Sequence, residues 1–134
     1  MKLTRASSYA LHAVVYMAAQ KTHDRPVASH LIAHARGIPE RFLLKVLKPL
    51  VSARVLLSIK GPNGGYRLAK PANDITMLQI VEAVDGPIHG IAPLSEEGNG
   101  ALNSKLESIC KATADQTRKH LEKVKLSDLA SGKK

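Results

Sequence analysis

The sequence predicts a mostly helical fold with one small β-hairpin: a winged helix–turn–helix followed by a long C-terminal helix. Three observations carry this. Two helical patterns separated by a tight break at Gly37 occupy residues 28–51. A hairpin signal, Lys60-Gly-Pro-Asn-Gly-Gly-Tyr66, follows directly between two short β-prone runs. A long helical pattern over 101–123 then closes the chain, after a stretch rich in Gly and Pro.

Leu3 to about Gln20 reads as the first helix. Ala6, Ala10, Ala13, Val14, Met17 and Ala18 recur at helical spacing and form one apolar stripe. Tyr9 and Tyr16 share a side of it, where packing against the core is their expected role. Lys21 to Pro26 is a polar loop. Ala28 to Ala35 forms a short second helix with Leu31 and Ile32 facing inward, and Gly37 supplies its left-handed C-terminal turn. The third helix begins near Pro39-Glu40, proline suiting a first turn and glutamate the positive helix end. Its apolar positions are Phe42, Leu43, Val46, Leu47, Leu50 and Val51, and Pro49 should loosen its last turn. Arg41, Lys45 and Lys48 project from one face of this helix, which gives it a basic stripe opposite an apolar one.

Val55 to Ile59 pairs back against Tyr66 to Ala69, with Gly and Asn supplying the positive-φ positions of a tight turn. Thr76-Met-Leu-Gln79 is a capping box, and Ile75 with Ile80 forms the accompanying staple. The helix that follows stops at Asp85-Gly86-Pro87. Residues 1–86 thus make one unit, 87–100 a linker loop, and 101–134 a long helix with a short tail. Leu102, Leu106, Ile109, Thr113, Thr117, His120 and Val124 approximate a heptad seam, apolar at its start and polar at its end. Leu126 to Leu129 suggests one last turn, and Ser131 to Lys134 a frayed tail.

Composition narrows the function. The chain of 134 residues is 44% hydrophobic but only 3% aromatic, so its core is aliphatic. No apolar run approaches the roughly 20 residues of a membrane span, and Met1 to Arg5 lacks a signal-peptide layout. A cytoplasmic protein without a membrane partner is expected. The single cysteine, Cys110, excludes an internal disulfide framework. The formal charge of +9 is unevenly spread: residues 1–70 hold 12 Lys or Arg against 2 Asp or Glu, a balance of +10. Residues 71–134 hold 8 against 9, a balance of −1. The positive excess lies in the half with the helix–turn–helix pattern, as binding to DNA phosphates requires. Catalysis finds no support. Ser7 and Ser8 lie in a helix start, and the glycines at 61–65 join two strands instead of opening a helix over a phosphate. His30 and His34, one helical turn apart, lack the further ligands of a metal site, and no cofactor is expected.

In this order the segments resemble the Rrf-two family of bacterial winged-helix transcription regulators. The likeness rests on Met1-Lys-Leu-Thr4, Tyr9-Ala-Leu11, Ile32-Ala33, Gly37-Ile38, Phe42-Leu43, Gly61 to Tyr66, Leu78 to Pro87 and Leu121 to Leu129. It implies a homodimer whose long C-terminal helix crosses to the second subunit. It also implies a repressor on an imperfect palindrome of double-stranded DNA. Arg41, Phe42 and Lys45 would face the major groove, with Lys48 on the backbone. Lys60, Asn63, Gly64 and Tyr66 would form the wing contact, and Lys2 an N-terminal one. Leu102, Leu106, Ile109, Cys110 and Thr113 would form the dimer interface.

The departures from the family pattern are equally informative. Many relatives hold an iron–sulfur cluster on three cysteines between the fourth helix and the long one, whereas residues 87–100 here contain none. Ser104 falls roughly where the third would lie, and Cys110 where Trp is frequent. One thiolate is too few for a cluster. Arg54 replaces a glycine usual at the end of the third helix, and Leu44 a frequent glutamate. Two alternatives remain open: a winged-helix protein–protein adaptor, and a thiol-based redox sensor acting through Cys110. A small effector or a second protein is a further partner that a dimeric sensor could take.

Overall fold

The computed structural model describes residues 1–20, 25–92 and 100–131. Its elements are α1 (Arg5–Ala18), α2 (Ser29–Arg36), α3 (Glu40–Ser52), β1 (Leu56–Ile59), β2 (Gly65–Leu68), α4 (Met77–Asp85), α5 (Gly100–Lys123) and α6 (Leu126–Ala130), with a 3₁₀ turn at Ala72–Asp74. This is the winged helix–turn–helix with a long C-terminal helix that the sequence predicts.

α1 is the hub. Thr4 caps it by accepting the Ser7 N–H at 3.0 Å. Ala10, Ala13, Val14, Met17 and Ala18 are buried along one side. Such small side chains let four other helices, α2, α3, α4 and α6, approach α1 closely. The core beneath them is aliphatic, built from Ile32, Leu43, Leu47, Leu50, Leu56, Ile75 and Ile80, all fully buried.

α2 and α3 end in the same way. After α2 the Ile38 N–H donates to Ala33 O at 3.0 Å, with Gly37 at φ +63°. After α3 the Val55 N–H donates to Leu50 O and the Arg54 N–H to Val51 O, both at 3.0 Å, with Arg54 at φ +62°. Both are Schellman caps. The left-handed conformation at Arg54, where glycine would be free, costs on the order of 1 kcal/mol. α3 runs through Pro49 to Ser52 and breaks only at that cap.

Leu31, expected to face inward, faces outward instead, and so does Phe42, an apolar position of α3 that the family resemblance turns toward the major groove. Leu31 is 52% exposed and Phe42 38% exposed. Each precedes a fully buried neighbour, Ile32 or Leu43, and lies about 100° around the helix from it. Helical rotation alone therefore turns each of them away from the core side.

In the hairpin Leu56 pairs with Leu68 and Ile59 with Gly65, antiparallel. Val27 adds a bridge to the outer side of β2, exchanging hydrogen bonds of 2.8 and 2.9 Å with Tyr66. A Cβ on Gly65 would lie 2.3 Å from Val27 O, and one on Gly64 2.1 Å from Ile59 O. These two glycines are therefore required by backbone approach. The expected loop before Val27 falls partly on residues 21–24, outside the described set.

The Thr76–Gln79 capping box forms in both directions, at 2.9 and 3.1 Å. Ile75 and Ile80 are both fully buried beside it. α5 has two unlike halves. Toward its C-terminus Ala114 and Leu121 are buried, and α5 packs there on α4 with its buried Leu78 and Val81. Toward its N-terminus Leu102, Leu106 and Ile109 are exposed.

α6 returns to the first unit. The Leu126 N–H donates to Ile75 O and the Met77 N–H to Val124 O, both at 2.8 Å. These bonds seat the fully buried Leu126 in the main core against α1. The last turn is thus a piece of the winged-helix body. Of the expected frayed tail, residues 132–134 lie outside the described set, as do 93–99 of the linker loop.

Candidate nucleic-acid interface

The face of α3 opposite the core carries Arg41, Phe42, Leu44, Lys45 and Lys48, all exposed. The buried stripe of Leu43, Val46, Leu47 and Leu50 fixes which face this is. Glu40, in the first turn of α3, accepts the Ser29 hydroxyl at 3.1 Å and so ties the start of α2 to the start of α3. The Arg41 guanidinium lies 4.9 Å from the centre of the Phe42 ring and the Lys45 ammonium 5.8 Å from it. Two cations thus rest on an exposed aromatic, an arrangement suited to anionic partners with apolar edges.

The wing places Lys60 and Asn63 in solvent at its tip. Gly64 and Tyr66 stand differently. Gly64 is a turn residue, its N–H donating to Gly61 O at 3.0 Å. Tyr66 is half-buried and packs against the core. Between the wing tip and α2 lies an open groove of about 520 Å3, lined by Arg25, Leu31 and Asn63 among others. Nothing in the residues flanking Arg25 marks it in the sequence as facing the wing.

Lys2 is not brought to α3. It lines a cleft of about 530 Å3 between the end of α4 and α5, with Asp85, Ile88, His89, Ile109 and Cys110. Asp85 there accepts the Thr4 hydroxyl at 2.8 Å and the Ser7 hydroxyl at 2.5 Å, which locks the start of α1 to the end of α4. Glu82 accepts the Ile88 N–H at 2.8 Å and pairs with Arg118, so it joins α4, the following loop and α5. A Cβ on Gly90 would lie 2.2 Å from Cys110 O, so this loop rides directly on the backbone of α5.

Among the residues expected at a dimer interface, Leu102, Leu106, Ile109 and Thr113 are exposed and Cys110 is half-buried. The Thr113 hydroxyl donates to Ile109 O at 2.8 Å and that of Thr117 to Thr113 O at 3.0 Å. Among the described residues no three of His, Cys, Asp and Glu converge as metal ligands. His30 and His34 stand exposed on α2. With one cysteine in the chain, the donor set does not fit an iron–sulfur cluster held by protein thiolates. No helix among the described residues is long and apolar enough to cross a membrane.

A hairpin wing beside a helix with an exposed basic face defines a winged-helix DNA-binding regulator. Comparison with known proteins gives the particular family. Residues 3–132 match Rrf2, described as iron-dependent transcriptional regulators, and the chain belongs to that family. A Mycobacterium tuberculosis (strain H37Rv) protein named as an HTH-type transcriptional regulator is 31% identical over 137 residues, covering 98% of this chain and 83% of the relative. The HTH-type transcriptional regulator IscR of Cereibacter sphaeroides is 28% identical over 134 residues, covering 96% and 86%. Among solved structures, CymR, the global cysteine regulator of B. subtilis, superposes with a TM-score of 0.78 at 26% identity, over 100% of this chain and 99% of that one. The T. potens IscR structure shares the fold, with a TM-score of 0.73 at 22% identity, over 98% and 87%. The protein is a DNA-binding transcription regulator of the Rrf2 type, and the family is not one of enzymes.

Proposed function

We propose that the protein is a cytoplasmic repressor that binds a palindromic operator as a homodimer and works without an iron–sulfur cluster. The observation that carries this reading is the exposed basic face of α3, set in a half-chain whose charge balance is +10. Arg41, Phe42 and Lys45 read the major groove, Lys48 holds the backbone, and Lys60 with Asn63 brings the wing to the adjacent strand. Gly64 and Tyr66 shape the wing that presents them. Lys2 contributes charge near the start of α1.

The dimer contact is the N-terminal half of α5. Leu102 is 53% exposed and Ile109 62% exposed, and neither has a place in the core of its own subunit. Two recognition helices joined in this way read half-sites about one helical turn apart. The cleft beside Cys110 leaves room for a small effector. The lone thiol supports operation without a cluster, since cluster ligation needs several.

One experiment tests the core of this. The purified protein is titrated against a duplex selected from random DNA, at rising salt, before and after anaerobic incubation with iron and sulfide. Steeply salt-dependent binding that is the same in both preparations, with no visible absorption band, is expected. Binding that requires reconstitution, or stoichiometric iron, would overturn the cluster-free reading. Salt-insensitive or absent DNA affinity would overturn the regulator's proposed mode of action.

A further inference from the structure

α1 and α3 enclose a groove of about 200 Å3, lined by Arg5, Ala6 and Tyr9 from one helix and Phe42, Lys45 and Val46 from the other. Its floor is apolar. Tyr9 packs against the core, Val46 is 5% exposed, and the Phe42 ring forms the outer wall. The cations Arg5 and Lys45 line it, Arg41 lies over the Phe42 ring, and no acidic residue among the described ones lines it.

Arg5 is placed unfavourably for stability alone. It is the first residue of α1, where the helix dipole is positive and a cation is repelled. Its side chain makes no hydrogen bond or ion pair among the described residues. Asp85, the acid that approaches this helix end, is taken by the Thr4 and Ser7 hydroxyls instead. An exposed, unpaired arginine at a positive helix end is suited to an anion from outside. The groove beside it continues the basic face of α3, because Phe42 and Lys45 belong to both.

A small apolar slot with cations at its edge matches one nucleotide of a DNA strand, whose sugar is largely apolar and whose phosphate is charged. We propose that Arg5 is a phosphate contact and that the groove seats the sugar of the same nucleotide against Phe42. This rests on the DNA-binding reading above and extends it from α3 to the start of α1. Arg5 is then a positioning residue. Phosphate contacts carry no base information but fix the register from which Arg41 and Lys45 reach base edges.

The test uses the full chain and its Arg5→Gln and Arg5→Lys variants. On a random-sequence duplex the slope of log affinity against log salt should shrink by about 0.9 for each Arg5 removed as Gln. That corresponds to a loss of roughly eightfold per chain near 0.1 M salt, the same for selected and random duplexes. Arg5→Lys should keep the slope. In a methylphosphonate scan of the selected duplex, one neutral linkage per half-site should weaken the parent protein and leave Arg5→Gln unaffected. An unchanged slope in Arg5→Gln, or a scan in which every effect persists in that variant, would overturn the proposal while leaving DNA binding by α3 intact. A parent protein without salt-dependent affinity would overturn the DNA-binding reading itself, and this contact with it.

Discussion

α3 and the N-terminal half of α5 both hold apolar side chains in solvent, yet their surroundings differ. On α3 the exposed Phe42 and Leu44 stand among Arg41, Lys45 and Lys48, with Glu40 engaged by Ser29. On α5 the exposed Leu102, Leu106 and Ile109 stand among charges of both signs, Lys105, Glu107 and Lys111. An apolar patch framed by one sign of charge suits a polyanion, which supplies the opposite charge along its whole length. A patch framed by mixed charge suits another protein surface, where an apolar centre is ringed by a polar rim. On the proposed reading the two helices would divide the work: α3 would read a half-site, and α5 would set two readers at a fixed distance.

The largest effect should come from breaking the α5 side. Replacing Leu106 and Ile109 together with Asp places two charges in the proposed interface, strongly unfavourable without counterions. The protein should sediment as a monomer at micromolar concentration and lose palindrome affinity by about a hundredfold or more. Far-UV circular dichroism should remain helical, since both side chains lie outside the main core. A folded double variant that stays dimeric would place the contact elsewhere, through α1 or through the cleft beside Cys110.

The α3 side should give a smaller and different loss. Arg41→Ala or Lys45→Ala should each weaken the selected duplex by about 1–3 kcal/mol and relax preference at one base position per half-site. Competition between selected and random duplexes measures this. Lys45→Ala with unchanged affinity and preference would show that the reading face is turned away from the Phe42 ring.

Much of this contrast was legible in the sequence, for local reasons. Gly37, the Thr76–Gln79 box and Gly64 each act within a few residues, so spacing alone locates them, whereas Gly65 is also fixed by the distant Val27 backbone. The basic stripe on α3 follows from helical period in the same way. Features that depend on distant segments were not legible. The buried strip of α2 ends at Ile32 and leaves Leu31 outside, and the apolar pattern alone does not record where that strip ends. The Val27–Tyr66 bridge and the return of α6 to Ile75 and Met77 are backbone pairings with little side-chain signature. Arg5 belongs beside α3 only because two helices cross there, and from sequence it is simply a residue of a helix start.

The smallest effect should come from Lys48, and it sharpens the comparison most cleanly. Lys48 lies on the basic stripe of α3 but does not line the groove beside Phe42, and its side chain makes no hydrogen bond or ion pair among the described residues. It is also exposed, so truncation removes charge without opening the core. If it neutralises one phosphate, Lys48→Ala should lower the salt slope by about one unit and weaken every duplex alike, with base preference and thermal stability unchanged. Lys45→Ala should instead weaken the selected duplex more than random ones. Salt titrations of both variants on both duplexes separate the roles. Equal losses on random DNA and a shared change of preference would mean that the stripe acts as one diffuse charge. The distinction between a reading end and a holding end of α3 would then have to be abandoned.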